Sequence, residues 1–405
     1  MPTVNDPDLL TGRRAETMAL AGRMAEIEPF HVMEIGRRAA ELEASGRRIV
    51  HLEIGQPDFA APPQVIDAAI AAIQSVPMGY TAALGIDPLR QAISGFYRNR
   101  YDIEVAPERI AVTAGASGAF LIAMGALVDP GDEVLMPDPC YPCNRHFVRL
   151  FEGVARTIPV SESQNYQLSL ADLEGHWTAR SSGVLLASPS NPTGTTVSRP
   201  ELARMIDWAH ARGAWVMVDE IYNGLTYGTR EETALSLSDE IFVVNSFSKY
   251  FNMTGWRLGW LVAPERYIRE MERLAQNAFI CVSAPAQYAA LAAFRPETLA
   301  VLDARRDEFR RRRDLLLPAL RELGFRIPVT PDGAFYIYAG CERFTRDSHA
   351  FALSVLEEAG VAITPGLDFG SNHPERYVRF AYTRAMADLE EGVVRLRRFL
   401  RAGAR

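Results

Sequence analysis

Short apolar, β-branched runs alternate with amphipathic helical stretches through the middle of this 405-residue chain. The runs are "RIVHLEI", "RIAVTAG", "DEVLMPD", "VARTIPV", "GVLLASP", "AWVMVDE", "IFVVNS" and "RLGWLVA", with stretches such as "DPLRQAISGFYRNRY" and "PELARMIDWAHARG" between them. A strand that is apolar at nearly every position is covered on both faces. The alternation therefore predicts βαβ units building an α/β, mostly parallel sheet between two layers of helices. "RLGWLVA" follows "IFVVNS" after a link too short for a helical crossover, which predicts an antiparallel member. Beyond residue 296 the texture changes. A long helix, "PETLAVLDARRDEFRRRRDLLLPALREL", with a break expected near Pro318, precedes "FRIPVTPDGAFYIYAG", a helix from about Ser348, and "YVRFAYT". The expected architecture is a large three-layer αβα domain over residues 47–296, with 1–46 and 297–405 forming a smaller α+β domain and its N-terminal arm.

A hydrophobic fraction of 48% and a charged fraction of 23% fit a soluble globular protein. The net charge of −7 argues against a general nucleic-acid-binding surface. Arg310 to Arg313 form a basic run, but acids flank it within a leucine-rich helical pattern, so a solvated helix face is expected. Asp6, Asp8 and Glu16 make the N-terminal stretch unlike a secretory or transit signal, and no run approaches the roughly 20 apolar residues that span a bilayer. A cytoplasmic protein is the expectation. Cys140 and Cys143 form a C-x-x-C, which suits a redox pair or half of a zinc site. No second ligand pair at zinc spacing exists and the context is not thioredoxin-like, so neither a metal nor a redox role is expected.

Ligands of an open parallel sheet sit beyond the carboxyl ends of its strands. The unusual motifs fall there one after another: "GASGAF", "PDPCYP", "SPSNPTG", "DEIY" and "NSFSK". In "TAGASGAF", small residues between strand and helix let backbone N–H groups approach an anion, although a tight turn needs the same glycines. The stretch lacks the dinucleotide and P-loop glycine patterns. Ser246, Ser248 and Arg257 can add phosphate ligands. Asp219 ends a buried strand, where a carboxylate is expensive unless it meets a cation or strong donors. It can cap a helix, or it can hold the proton on a pyridinium nitrogen, keeping that ring an electron sink. Tyr222 and Asn191 can donate to a ring oxygen, though "NPTG" also suits a plain turn. Lys249, between Ser248 and Tyr250, would become a nucleophile if burial and cationic neighbours lowered its pKa. Arg379, inside the strand-like "RYVRFAYT", needs a carboxylate, either from a substrate or from the protein.

In these motifs the chain resembles the fold-type I pyridoxal-phosphate enzymes, and within them the class I/II aminotransferases, an aspartate aminotransferase-like superfamily. The likeness covers nearly the whole chain, from "RMAEIEPFHVMEIGRRAAELEASGRRIVHLEIGQPDF" through "GYTAALGIDPLRQAI", "SPSNPTGT", "VDEIY" and "SFSKYFNMTGWRLGW" to "YVRFAYT". The resemblance implies a Schiff base between Lys249 and pyridoxal 5'-phosphate, with Lys249 then moving the substrate α-proton. Asp219 would pair with the pyridine nitrogen, Asn191 and Tyr222 would hold the ring oxygen, and Tyr141 would stack on the ring. Ala116, Ser117, Ser246, Ser248 and Arg257 would bind the phosphate, with Tyr80 reaching it from the second subunit of a homodimer. Gly55, Asn191 and Arg379 would receive the substrate, Gly55 and Arg379 through its α-carboxylate. The Asn191–Pro192 bond would be cis.

The implied function is ping-pong transamination between an L-amino acid and a 2-oxo acid. A carbon–sulfur β-lyase is the alternative on the same fold. A non-catalytic regulator would need a DNA-binding module, for which the residues ahead of the sheet leave little room. Relatives that prefer aspartate can carry a lysine where this chain has Ser117, which weakens the case for an acidic-side-chain specialist. Phe335 and Tyr336, in "DGAFYIY", are either an apolar or mixed pocket wall or core strand residues.

Overall fold

In chain order the strands of the first half are β1 (Val50–His51), β2 (Ile110–Thr113), β3 (Glu133–Asp138), β4 (Val154–Pro159), β5 (Ser181–Ala187) and β6 (Trp215–Asp219). The rest are β7 (Phe242–Ser246), β8 (Gly259–Val262), β9 (Tyr336–Gly340), β10 (Val361–Ala362), β11 (Thr364–Pro365) and β12 (Tyr377–Ala381). This computed structural model describes residues 20–228 and 231–403; Asp6, Asp8 and Glu16 lie outside them.

β2 to β8 form one seven-stranded sheet in the order β2-β8-β7-β6-β5-β3-β4. β8 is antiparallel to both neighbours, β7 and β2, while β3 to β7 pair in parallel. β2, β3, β6, β7 and β8 are buried at every position. That is why these strands read as unbroken apolar runs, with helices covering both faces. β4 lies at the edge and is half exposed. Chain order reverses between β3 and β5, so the connections leaving their carboxyl ends run to opposite sides and open a crevice, the usual ligand position in such sheets.

Two small sheets complete the fold. β11, β12 and β9 form an antiparallel trio, and β1 pairs in parallel with β10. The run expected over 48–54 thus forms a strand only at Val50–His51, and it joins the C-terminal part of the chain rather than the large sheet. Leu52 is fully buried and its N–H donates to the Ala362 carbonyl at 2.9 Å, which fixes that docking.

Two further expectations are corrected. The helix Pro296–Leu323 runs through Pro318 without ending. A proline inside a helix costs about 3 kcal/mol. Leu316, Leu317 and Leu320 are buried on one side of that turn, and at about 1.5–3 kcal/mol for each such side chain they outweigh the cost. The basic run is also not wholly solvated. Arg310 and Arg311 face solvent, but Arg312 is 3% exposed and paired with Asp58 at 2.8 Å and Glu308 at 3.1 Å. No helix among the described residues is long and apolar enough to cross a membrane.

Candidate active site

A cavity of about 340 Å³ opens at the carboxyl ends of β3, β5, β6 and β7, within the usual size of a small-molecule site. Lys249 reaches it from the loop after β7. Its neighbours anchor that loop: Phe247 and Phe251 are buried, with ring centroids 5.0 Å apart, and Phe247 lies 5.0 Å from Trp260. Lys249 Nζ donates to the Gly55 carbonyl at 2.7 Å. Burial lowers its pKa to about 8, assisted by the positive charges of Arg379 and then Arg257 and opposed by Asp219. Of the two cations, Arg379 contributes more than Arg257, which stands much nearer in sequence.

Asp219 closes β6 at the floor of the same cavity. Its Oδ1 accepts from the Ile221 N–H at 3.1 Å, and the chain then turns instead of starting a helix, so the helix-cap role does not apply. Burial pushes its pKa up to about 7, against the Ile221 bond and the Lys249 charge. The carboxylate lacks the strong cationic partner its depth calls for. Tyr222 Oη lies 2.8 Å from Tyr336 Oη, and burial holds the Tyr222 phenol neutral, its pKa well above the usual value.

Arg379 on β12 is 5% exposed. It donates to Asn191 Oδ1 at 2.9 Å, to the Glu53 carbonyl at 2.6 Å and to Thr364 Oγ1 at 3.2 Å. None of these acceptors is charged, and no carboxylate among the described residues forms an ion pair with it. The internal salt bridge left open by the sequence is therefore absent from this part of the chain. Its Nε is buried without a partner. Because Asn191 uses its oxygen on Arg379, its amide NH₂ is left to donate elsewhere. The Asn191–Pro192 bond is cis, as expected.

The amino end of the helix Gly115–Leu127 presents Ala116 and Ser117 to the cavity. Gly115 sits at φ +69°, and a Cβ there would lie 2.7 Å from Arg257 Nη2, so the glycine lets the guanidinium cross the helix end. Ser246 Oγ and Ser248 Oγ are 3.0 Å apart beside it. Helix N–H groups, two hydroxyls and a guanidinium free of any carboxylate partner among the described residues make an anion cradle.

Tyr141 lines the cavity at the start of the helix Pro142–Leu150. Gly55 lines it too, where a Cβ would fall 1.8 Å from Tyr336 Oη. Of the residues to which the resemblance gave a cofactor or substrate role, only Tyr80 is elsewhere: it is 84% exposed and outside the cavity of its own chain. Tyr336, the first residue of β9, faces the cavity, while Phe335 in the turn before it packs into the core against Phe309 and Tyr222. The four cysteines are free thiols. Burial pushes the Cys140 thiol up to about 12 and raises Cys143, which leaves both poor nucleophiles.

The sequence did not single out Glu53, Asp368, Phe369, Phe147 or the N-terminal trio Phe30, Val32 and Met33, all of which line the cavity. Asp368 accepts from the N–H groups of His31 at 2.7 Å and Val32 at 2.9 Å, pinning that trio to the wall. No local pattern marks these residues; "DFG" at 368–370 is a short turn like many others.

A mixed seven-stranded sheet with a lysine after one central strand, an aspartate at the end of the next and an anion cradle beside them defines a fold-type I transferase of the aspartate aminotransferase-like kind. The pattern of the family "Aminotransferase class I and II" matches residues 47–396, and the chain belongs to that family. It is 40% identical over 374 residues to a protein named valine–pyruvate aminotransferase of Mycobacterium tuberculosis, covering 92% of this chain and 96% of that one. It is 34% identical to an aspartate aminotransferase of Streptomyces avermitilis, over 94% of this chain and 96% of the relative. A crystal structure of an aminotransferase from M. tuberculosis superposes with a TM-score of 0.92 at 39% identity, covering 95% of this chain and all of that one. The Thermus thermophilus aspartate aminotransferase with maleate gives 0.89 at 30% identity over the same shares. The chain is a transaminase, and these relatives favour transfer of the amino group over the carbon–sulfur elimination considered above.

Proposed function

We propose that this cavity holds pyridoxal 5'-phosphate and transfers the amino group of an L-amino acid with an apolar side chain to a 2-oxo acid. The observation that carries the proposal is one cavity combining a buried Asp219 without a strong cation, a Lys249 amine close to neutrality and an anion cradle. These residues fit a phosphorylated, positively charged aromatic aldehyde. Bound there, the cofactor supplies an aldehyde carbon that takes up the amino group and a protonated ring that withdraws electrons from the substrate α-carbon.

The chain's own residues do the rest. Asp219 holds the proton on the ring nitrogen, its charge then matched instead of stranded. Asn191 and Tyr222 donate to the ring oxygen, and Tyr141 packs against the ring face. Ala116, Ser117, Ser246, Ser248 and Arg257 hold the phosphate, with Tyr80 of a second copy in a homodimer reaching it. Arg379, helped by Gly55, takes the α-carboxylate and fixes the α-carbon, which turns an intermolecular encounter into a positioned one. Lys249 Nζ would then lift the α-proton and return it to the carbon on the far side of the transferred nitrogen, as general base and acid.

The side-chain preference rests on what remains of the wall. With Arg379 assigned to the α-carboxylate, Arg257 to the phosphate and Lys249 to the proton, no other cation among the described residues lines the cavity, while Phe30, Val32, Met33, Ile54, Phe147 and Phe369 do. A second carboxylate would be desolvated there without a partner. The name of the M. tuberculosis relative supports the same class. The test is a panel of amino acids, valine and leucine against aspartate, read as single-turnover amination of the cofactor. Apolar donors should react at least about tenfold faster; aspartate as the best donor would overturn the substrate class.

A further inference from the structure

Outside the catalytic cavity, His31, Glu34 and His349 bring their ligand atoms within 4.8 Å of one another. His31 and Glu34 stand three residues apart in the first turn of the helix His31–Ala44, on one face. His349 opposes them from the first turn of the helix Ser348–Ser354. His349 Nε2 lies 3.4 Å from Glu34 Oε2. Two ligands on a tetrahedral ion, each about 2.0–2.1 Å from the metal, are separated by about 3.3 Å. The rings of His31 and His349 meet edge to face with centroids 5.3 Å apart, which places the third ligand beside the other two. His349 Nε2 is buried and makes no hydrogen bond. A buried ring nitrogen with no hydrogen bond among the described residues, facing a carboxylate and a second imidazole, has the donor chemistry of a zinc ligand.

We propose that His31, Glu34 and His349 form a zinc site, with a water completing the tetrahedron. The ion would tie the start of the helix His31–Ala44 to the helix Ser348–Ser354. The same turn is bonded to Asp368 through the His31 and Val32 N–H groups and carries Val32 and Met33, next to Phe30, on the cavity wall. Zinc therefore stiffens the wall that contacts the substrate side chain. The metal site stands on its own geometry; its effect on substrate rests on the function proposed above.

The test uses the full chain loaded with cofactor, freed of metal with a chelator and titrated with zinc chloride by calorimetry. One zinc per chain is expected, bound about 100-fold more weakly by His349→Ala and about tenfold more weakly by Glu34→Gln. Glu34 is exposed, so the second variant keeps its fold and its zinc-free activity. Zinc at ten times the wild-type Kd should also slow amide exchange of peptides covering residues 28–40 by about tenfold in the wild type and by only about twofold in Glu34→Gln. No binding at millimolar zinc, or binding in both variants as strong as in the wild type, overturns the site whatever the substrate proves to be.

Discussion

Replacing Arg379 by lysine keeps the positive charge and removes the planar fork. In the free enzyme Arg379 spends three donors on Asn191, Glu53 and Thr364, and a guanidinium has five. The remainder, with Nε among them, are available to a carboxylate. A hydrogen bond to a charged group contributes about 1.5–3 kcal/mol, and a lysine can retain one such bond of a bidentate pair but not both. The expected loss is therefore about 1.5–3 kcal/mol of transition-state binding, or roughly 10- to 150-fold in kcat/KM. The assay is the single-turnover rate with valine, run beside 2-methylpropylamine, which has the same side chain and no carboxylate. The amine's rate should differ by less than about threefold between wild type and Arg379→Lys, because the contact that is lost never formed with it. An equal fall for both compounds would mean that Arg379 acts by holding Asn191 and the Glu53 strand, and the carboxylate assignment would be wrong.

Lys249→Ala should abolish turnover, and borohydride treatment followed by peptide mass spectrometry should find the pyridoxyl adduct at Lys249 of the wild type only. In the cofactor-free protein only the neutral Lys249 amine attacks an aldehyde; with its pKa lowered to about 8, the capture rate should rise about tenfold between pH 7 and pH 9. A rise of about 100-fold would be that of a lysine at its ordinary value and would contradict the lowered one. Asp219 carries a folded-state pKa of about 7 against an ordinary 3.8. The folded chain therefore holds that proton more tightly than the unfolded chain, and stability from this group is lost as pH rises from about 4 through about 7. Asp219→Asn should flatten that slope in chemical denaturation of the cofactor-free protein while cutting turnover by at least about 100-fold. Gly55→Ala would set a methyl 1.8 Å from Tyr336 Oη, and its KM for the amino donor should rise well before its melting temperature falls.

Much of the fold could be read from local pattern. Strands β3 and β5 to β8 are apolar along their length because both faces are covered, and β8 is antiparallel because the link from β7 is too short to cross over. Where burial came from distant partners, pattern misled. Pro318 stays helical because leucines around it are buried, and Arg312 is buried because Asp58 waits more than 250 residues away. Phe335 and Tyr336 are adjacent and chemically similar, and only the packing at the entry to β9 sends one to the core and the other to the cavity.

What the sequence determined alone is the chemistry: which reactive side chains stand at the carboxyl ends of which strands. A strand end and the turn after it are local, and the parallel sheet brings such ends together without further instruction. Tertiary structure decided how those groups are charged and what surrounds the substrate. Lys249 owes its lowered pKa to burial and to Arg379, and Arg379 reaches Asn191 across 188 residues of chain. The wall formed by Phe30, Val32 and Met33 exists because Asp368 grips two backbone N–H groups more than 330 residues earlier. Desolvation and orientation depend on every neighbour at once, so they are written in the packing and not in any one stretch of sequence.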